Sequence, residues 1–191
     1  MTDQNDPLLS LQTLLAMRSA RRGEFTLASG RTSSLYIDAR LTTMSPEGLA
    51  LIGPLGLRAL REEDWEVDAV GGLTLGADPI AYAISYASAL QGRLLIRAFT
   101  VRKQAKAHGT GQLIEGPFRS NDRVVIVEDV ITTGSSALQA AEVIRNAGGK
   151  VVGVLALVDR EEGGREVLER TGFRVRSLTR ASDIIALLSS W

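Results

Sequence analysis

The sequence contains no cysteine, which excludes disulfides, thiolate catalysis and cysteine-ligated metals and agrees with a reducing compartment. Net charge is absent as well. Its 22 basic and 22 acidic side chains cancel, so no global field draws the protein onto nucleic acid or an anionic membrane, and any anion site must be built locally. No run approaches 18 apolar residues; Val151 to Val158, eight long, reads as a buried strand and not as a membrane span. The start, MTDQNDPLLSLQ, carries acids before its first apolar residues and lacks the basic beginning of a secretory leader. A soluble, cytoplasmic protein is expected. Repeats, low-complexity tracts and long linkers are missing too, and 191 residues with 45% hydrophobic content suit a single domain over residues 1–191.

What is present is alternation. Leucines at 8, 11, 14 and 15 with basic residues behind them predict an amphipathic helix over 7–22. FTLASG (25–30) and SLYIDAR (34–40) predict a short hairpin. Helices are expected at 45–61, with Ser45 as cap and Pro46 in the first turn, and at 76–90, 135–147, 161–171 and 181–188. Strands are expected at 67–71, 94–102, 123–128, 151–158 and 174–178. Strands that are apolar throughout imply burial on both faces, hence an α/β fold with a mainly parallel central sheet flanked by helices. Ligands of such sheets bind beyond the carboxyl ends of the strands. The loops there are GGLTLGAD, RKQAKAHGTGQ, EDVITTGSS and the segment Val158-Asp159-Arg160-Glu161.

The third loop joins two opposites. Glu128 and Asp129 are adjacent acids, yet Thr132-Thr133-Gly134-Ser135-Ser136 has the composition of a phosphate cradle. Lying before a helix, that turn aims backbone N–H groups and the positive end of the helix dipole outward, with hydroxyls as further donors. It is not a P-loop: GxxxxGK[ST] is absent, and Gly71 to Gly76 has the glycine spacing but continues as Ala77-Asp78. Either half alone reads as a charged strand terminus or an ordinary helix cap. Together they suit a sugar phosphate, with phosphate on the turn and vicinal hydroxyls on the acids.

Lysine is scarce, three against nineteen arginines, yet Lys103, Lys106 and the lone His108 fall within seven residues, RKQAKAH. The segment 105–111 is otherwise alanine, glycine and threonine and lacks apolar anchors, which suits a mobile lid carrying Arg102, Lys103, Lys106 and His108 over a polyphosphate leaving group. A solvated loop is the plain alternative. A nucleic-acid patch is disfavoured because no aromatic residue is interleaved.

VVIVEDVITTGSS resembles the phosphoribosyl pyrophosphate (PRPP) signature of the type I phosphoribosyltransferases. RK..K.HG is similar to the catalytic loop of the orotate phosphoribosyltransferases, FTLASGRTSSLYIDAR to their N-terminal hood, GGLTLGADPIA to their pyrophosphate loop and ALVDREEGG to the segment after the fourth core strand. The resemblance implies the type I phosphoribosyltransferase fold with a small hood from about 1–45, and transfer of ribose 5-phosphate from PRPP to orotate. It implies Mg²⁺ carried on the diphosphate and not on a protein-built metal site, and a homodimer that exchanges its loops. Arg102, Lys103, Lys106 and His108 would meet the pyrophosphate. Glu128, Asp129, Val130, Ile131, Thr132, Thr133, Gly134, Ser135 and Ser136 would hold PRPP, and Thr132, Arg160 and the backbone near Tyr36 and Ile37 would contact orotate. Arg160 suits that role because its planar fork matches a carboxylate; its ordinary reading is an ion pair with Asp159 or Glu161. The chain departs from the family pattern at Ala28 and at Thr74-Leu75-Gly76, where lysines are usual, so charge balance is expected from Arg102, Lys103 and Mg²⁺. A phosphoribosyltransferase for another base would keep EDVITTGSS without the hood and basic loop. A non-catalytic PRPP sensor would need an added nucleic-acid-binding surface, which is not expected from the roughly 20 residues before FTLASG, too few for a helix-turn-helix domain, or from the neutral charge.

Overall fold

The computed structural model describes residues 6–26, 32–92, 95–104 and 113–189. Helix α1 (Pro7–Leu14) is capped by Asp6 and continues as a π-helical turn, Leu15–Ser19. Strand β1 (Ala20–Thr26) then pairs antiparallel with β2 (Thr32–Ile37). The expected helix over 7–22 therefore stops early: Leu11, Leu15 and Ala16 fill the core, while Arg21 and Arg22 pair with Tyr36 and Leu35 in the hairpin. Their basic character, read as a helix end, belongs to a strand with a solvent-facing edge. A short helix α2 (Arg40–Thr43), absent from the sequence reading, follows Asp38.

The remaining elements are α3 (Pro46–Glu62), β3 (Ala69–Leu73), α4 (Ala77–Gln91), β4 (Arg97–Val101), β5 (Ile114–Glu115), β6 (Arg123–Ile131), α5 (Ser135–Asn146), β7 (Lys150–Asp159), α6 (Gly164–Arg170), β8 (Val175–Arg180) and α7 (Ala181–Leu188), which alternate as expected except for the two-residue strand β5, where only a loop was expected. Ser45 caps α3 through Gly48 N (3.1 Å), with Pro46 in the first turn. Helix α6 begins three residues later than expected because Glu161 and Gly163 have φ of 58° and 92°, which no helical turn accommodates.

The six-stranded sheet has the order β5-β4-β3-β6-β7-β8 and is parallel except for β5. Its central strand shows why an unbroken apolar run was needed. Val124 and Ile126 face the layer of α5 and α6, Val125 and Val127 face the layer of α1, α3, α4 and α7, and all four are fully buried. Strand β3 is followed by β4 on one side, whereas β6 and β7 continue on the other. Strand order thus reverses between β3 and β6, and a crevice opens beyond their carboxyl ends.

Candidate active site

At that crevice lies a cavity of about 480 Å³, walled by the end of the hairpin, the turn after β3, the end of β4, and the ends of β6 and β7. Strand β6 runs to Ile131, three residues beyond expectation, so the acids sit inside the strand, with Glu128 opposite Ala156 of β7. Both carboxylates line the cavity. Asp129 accepts from its neighbour Val130 N (2.9 Å), and its other side is packed by Gly76: a Cβ there would lie 2.5 Å from the carboxylate. The Glu128 Oε2 atom is buried and makes no hydrogen bond among the described residues.

That environment changes the charge of the pair. Burial, then the neighbouring Asp129 charge and hydrogen bond, push the Glu128 carboxyl up to about 8, with Lys103 opposing. Burial also raises Asp129, opposed first by the Val130 N–H. Near neutral pH the pair therefore holds a proton on Glu128. Such a pair presents both an acceptor and a donor to the cavity.

The turn after β6 is shaped by Gly134, whose φ of 80° precedes α5. A Cβ at Gly134 would approach Gly164 O at 2.9 Å and Leu168 Cγ at 3.0 Å. Thr132 and Ser136 line the cavity. Thr133 and Ser135 join each other by a hydroxyl contact of 3.0 Å instead. Ile131 is different: its side chain is in the core, and its carbonyl accepts from Arg160 N at 3.0 Å. The cradle is thus built from residues 132–136 and the amides at the start of a 12-residue helix.

The turn after β3 is shorter than GGLTLGAD suggested, because Gly71, Gly72 and Leu73 belong to the strand and only 74–76 turn. Glycine is required in β3 by its neighbours: a Cβ on Gly71 would lie 2.2 Å from Phe99 O and one on Gly72 2.1 Å from Val127 O. The turn is tied down by Asp78, which accepts from Thr74 Oγ1 (2.7 Å) and Thr100 Oγ1 (2.8 Å), while Thr74 N bonds Val101 O (2.8 Å).

The cations are distributed unevenly. Lys103 lines the cavity. Arg102 extends towards Glu115, 3.5 Å away. Lys106 and His108 lie outside the described residues. Arg160 lines the cavity and is buried, and its partner is neither Asp159 nor Glu161. It donates to Glu162 Oε1 from Nε (3.1 Å) and Nη2 (2.6 Å), and to Leu35 O from Nη2 (3.0 Å). The left-handed turn at Glu161 and Gly163 folds Glu162 back onto it. Tyr36, packed on Phe25 with ring centroids 5.4 Å apart, and Ile37 form the hairpin wall. Sequence reasoning missed Asp38 and Arg40, which also line the cavity. They close the quoted SLYIDAR segment, but only the fold of α2 turns them inward.

Among the described residues no group of three or more His, Asp or Glu side chains forms a metal cage. Of the acids that line the cavity, Glu128 is protonated near neutral pH and Asp38 is held by Arg40, so these residues fit only a cation that takes most of its ligands from elsewhere, as Mg²⁺ commonly does. No described helix is long and apolar enough to cross a membrane.

A glycine-shaped turn before α5 and an acid pair share one cavity at the switch point of this sheet, and the Phosphoribosyl transferase domain matches residues 56–181, which makes the chain a phosphoribosyltransferase. The chain is 48% identical to orotate phosphoribosyltransferase of Rhodopseudomonas palustris, over 92% of this chain and 94% of that protein. It is 43% identical to orotate phosphoribosyltransferase of Aquifex aeolicus, over 95% and 98%. The crystal structure of the Mycobacterium tuberculosis H37Rv orotate phosphoribosyltransferase in complex with PRPP superimposes with a TM-score of 0.79 at 42% identity, covering 94% of this chain and 99% of that one. The chain belongs to the orotate phosphoribosyltransferase family.

Proposed function

We propose that this protein transfers the 5-phosphoribosyl group of PRPP to a ring nitrogen of orotate, releasing pyrophosphate and forming orotidine 5′-monophosphate in pyrimidine biosynthesis. The observation that carries this reading is the convergence, on one cavity, of the Thr132 and Ser136 cradle, the Glu128–Asp129 pair and the guanidinium of Arg160. The 5′-phosphate rests on the amides of 132–136 and the start of α5. The ribose hydroxyls meet Glu128 and Asp129, whose negative charge also favours the positive charge that develops on the ribose ring as pyrophosphate departs. Lys103 neutralises the leaving group, with Arg102, Lys106 and His108 contributed by the same basic segment as it closes and excludes water.

Arg160 gives the site its preference for orotate. Its guanidinium is buried and pre-oriented by Glu162 and the Leu35 carbonyl, so a carboxylate-bearing base finds a fixed cationic partner there that uracil, hypoxanthine and adenine cannot use. Tyr36, Ile37 and Thr132 border the same region of the cavity. Mg²⁺ bound to the diphosphate supplies neutralising charge to the leaving group when present. The working form is a cytoplasmic homodimer whose basic segments reach the partner's cavity.

The test is to incubate the protein with PRPP, Mg²⁺ and orotate, uracil, hypoxanthine or adenine in turn. Orotate alone should disappear, with formation of orotidine 5′-monophosphate. Consumption of another base in its place would transfer the chain to a different specificity, and consumption of none would support a PRPP-binding role without transfer.

A further inference from the structure

The cavity has a charge deficit at one wall. The diphosphate is the most negative part of the proposed donor, and with the 5′-phosphate on the 132–136 turn the cavity left for it is bounded by the turn at 74–76 and Lys103. That turn, Thr74-Leu75-Gly76, contains no charged side chain. Three acids line the cavity, Asp38, Glu128 and Asp129, against three cations, Arg40, Lys103 and Arg160. Arg160 is engaged with Glu162 and the hairpin carbonyl of Leu35. Apart from Arg40, Lys103 is then the one cavity-lining cation among the described residues left to face the diphosphate, beside what the rest of the basic segment brings.

Arg40 occupies the missing place. It opens α2 directly after the hairpin and lines the same cavity as Leu75, Gly76 and Asp129. Together with Leu75 it also borders an adjoining hollow, so the guanidinium stands where the hairpin meets the uncharged turn. Its orientation is set in advance. Nε donates to Asp38 Oδ1 (2.8 Å) and Nη2 to Asp38 Oδ2 (3.0 Å), while Arg40 N also reaches Oδ1 (3.2 Å). Among the described residues Nη1 makes no hydrogen bond. A fork held along one edge by a carboxylate presents its other edge ready-oriented, at a reduced entropic cost of binding an oxyanion. Its side chain remains 49% exposed, so a ligand can reach it.

We infer that Arg40 is a binding residue for the donor's diphosphate, supplying from the hairpin wall the positive charge that the 74–76 turn lacks, with Asp38 as its positioning partner. The inference rests on the reading of the protein as a PRPP-dependent transferase.

The experiment compares wild type, Arg40→Gln and Arg40→Lys in both directions of the reaction, with direct calorimetric titration of inorganic pyrophosphate in Mg²⁺. Loss of one charge-assisted contact should raise KM for PRPP and, in the reverse direction, KM for pyrophosphate by about tenfold in Arg40→Gln. KM for orotate should change less than twofold, and the thermal midpoint should stay at the wild-type value. Arg40→Lys should recover most of the loss, and the salt dependence of pyrophosphate binding should be shallower in Arg40→Gln. Unchanged PRPP and pyrophosphate constants would overturn the inference. So would a rise confined to orotate, or a uniform loss accompanied by a lower thermal midpoint. If wild type itself forms no orotidine 5′-monophosphate, the functional reading has failed, and the pyrophosphate titrations still decide the case of Arg40.

Discussion

Replacing Glu128 by Gln exposes the physics of the acid pair. In the folded protein the Glu128 carboxyl titrates at about 8, against an ordinary value of 4.5, because burial and then the adjacent Asp129 disfavour its charge. A folded-state value above the unfolded one means that the native protein binds more protons than the unfolded chain between those limits. Stability contributed by the neutral carboxyl is therefore complete below about pH 4.5 and is lost as pH rises through 8. The limiting slope is about 1.4 kcal/mol per pH unit, and partial solvent access and coupling to Asp129 reduce the total to about 2–4 kcal/mol. Glutamine keeps the shape and neutrality of the protonated acid and cannot titrate. Urea unfolding at pH 5, 6, 7 and 8 should show wild type and Glu128→Gln nearly equal at pH 5 and diverging steadily, with the variant the more stable at pH 8. The same variant should bind PRPP nearly as well as wild type near neutral pH, where both offer a neutral donor, and fall behind only as pH rises through 8 and wild type gains an anionic acceptor. Parallel stability profiles across that range would refute the shared-proton account.

Other perturbations probe separate parts of the site and scaffold. Lys103→Ala should lower turnover by about 10²-fold, the scale of one lost electrostatic contact to the transition state, with unfolding unchanged; wild-type turnover would remove Lys103 from the mechanism. Gly76→Ala places a Cβ 2.5 Å from the Asp129 carboxylate and should raise KM for PRPP by about tenfold, read by steady-state kinetics. At the opposite end of the sheet, Asp68 accepts from Arg123 N, Nε and Nη2, and Arg123 holds its carboxyl down to about 2. Because that value lies below the unfolded one, its stabilisation is present above about pH 4 and fades as pH falls through 2. Asp68→Asn should cost about 1 kcal/mol at pH 7 after allowance for solvent screening, with the difference from wild type disappearing in acid.

The parallel sheet was legible because β6 and β7 carry apolar residues on both faces, a pattern that only burial between two helical layers explains. The turn before α5 was legible because Gly134, its hydroxyl neighbours and the start of the helix are contiguous. What escaped depended on tertiary context. Arg21 and Arg22 look like a helix end until hairpin pairing with Leu35 and Tyr36 claims them. The partner of Arg160 is Glu162, not its immediate neighbours, because two left-handed residues reverse the chain between them. Arg40 was within a quoted segment and still went unassigned, since nothing local distinguishes a surface Asp-x-Arg pair from one turned into a cavity by a four-residue helix. The raised Glu128 likewise needs the depth of the crevice, which adjacent letters do not encode.

The central claim is that one ligand spans the turn at 132–136 and the acid pair. A crystal structure with PRPP and Mg²⁺ tests it most directly. The 5′-phosphate should lie within hydrogen-bond distance of the amides of 132–136, with the 2′- and 3′-hydroxyls against Glu128 and Asp129. A phosphate bound elsewhere, or a ribose that leaves both carboxylates untouched, would contradict it.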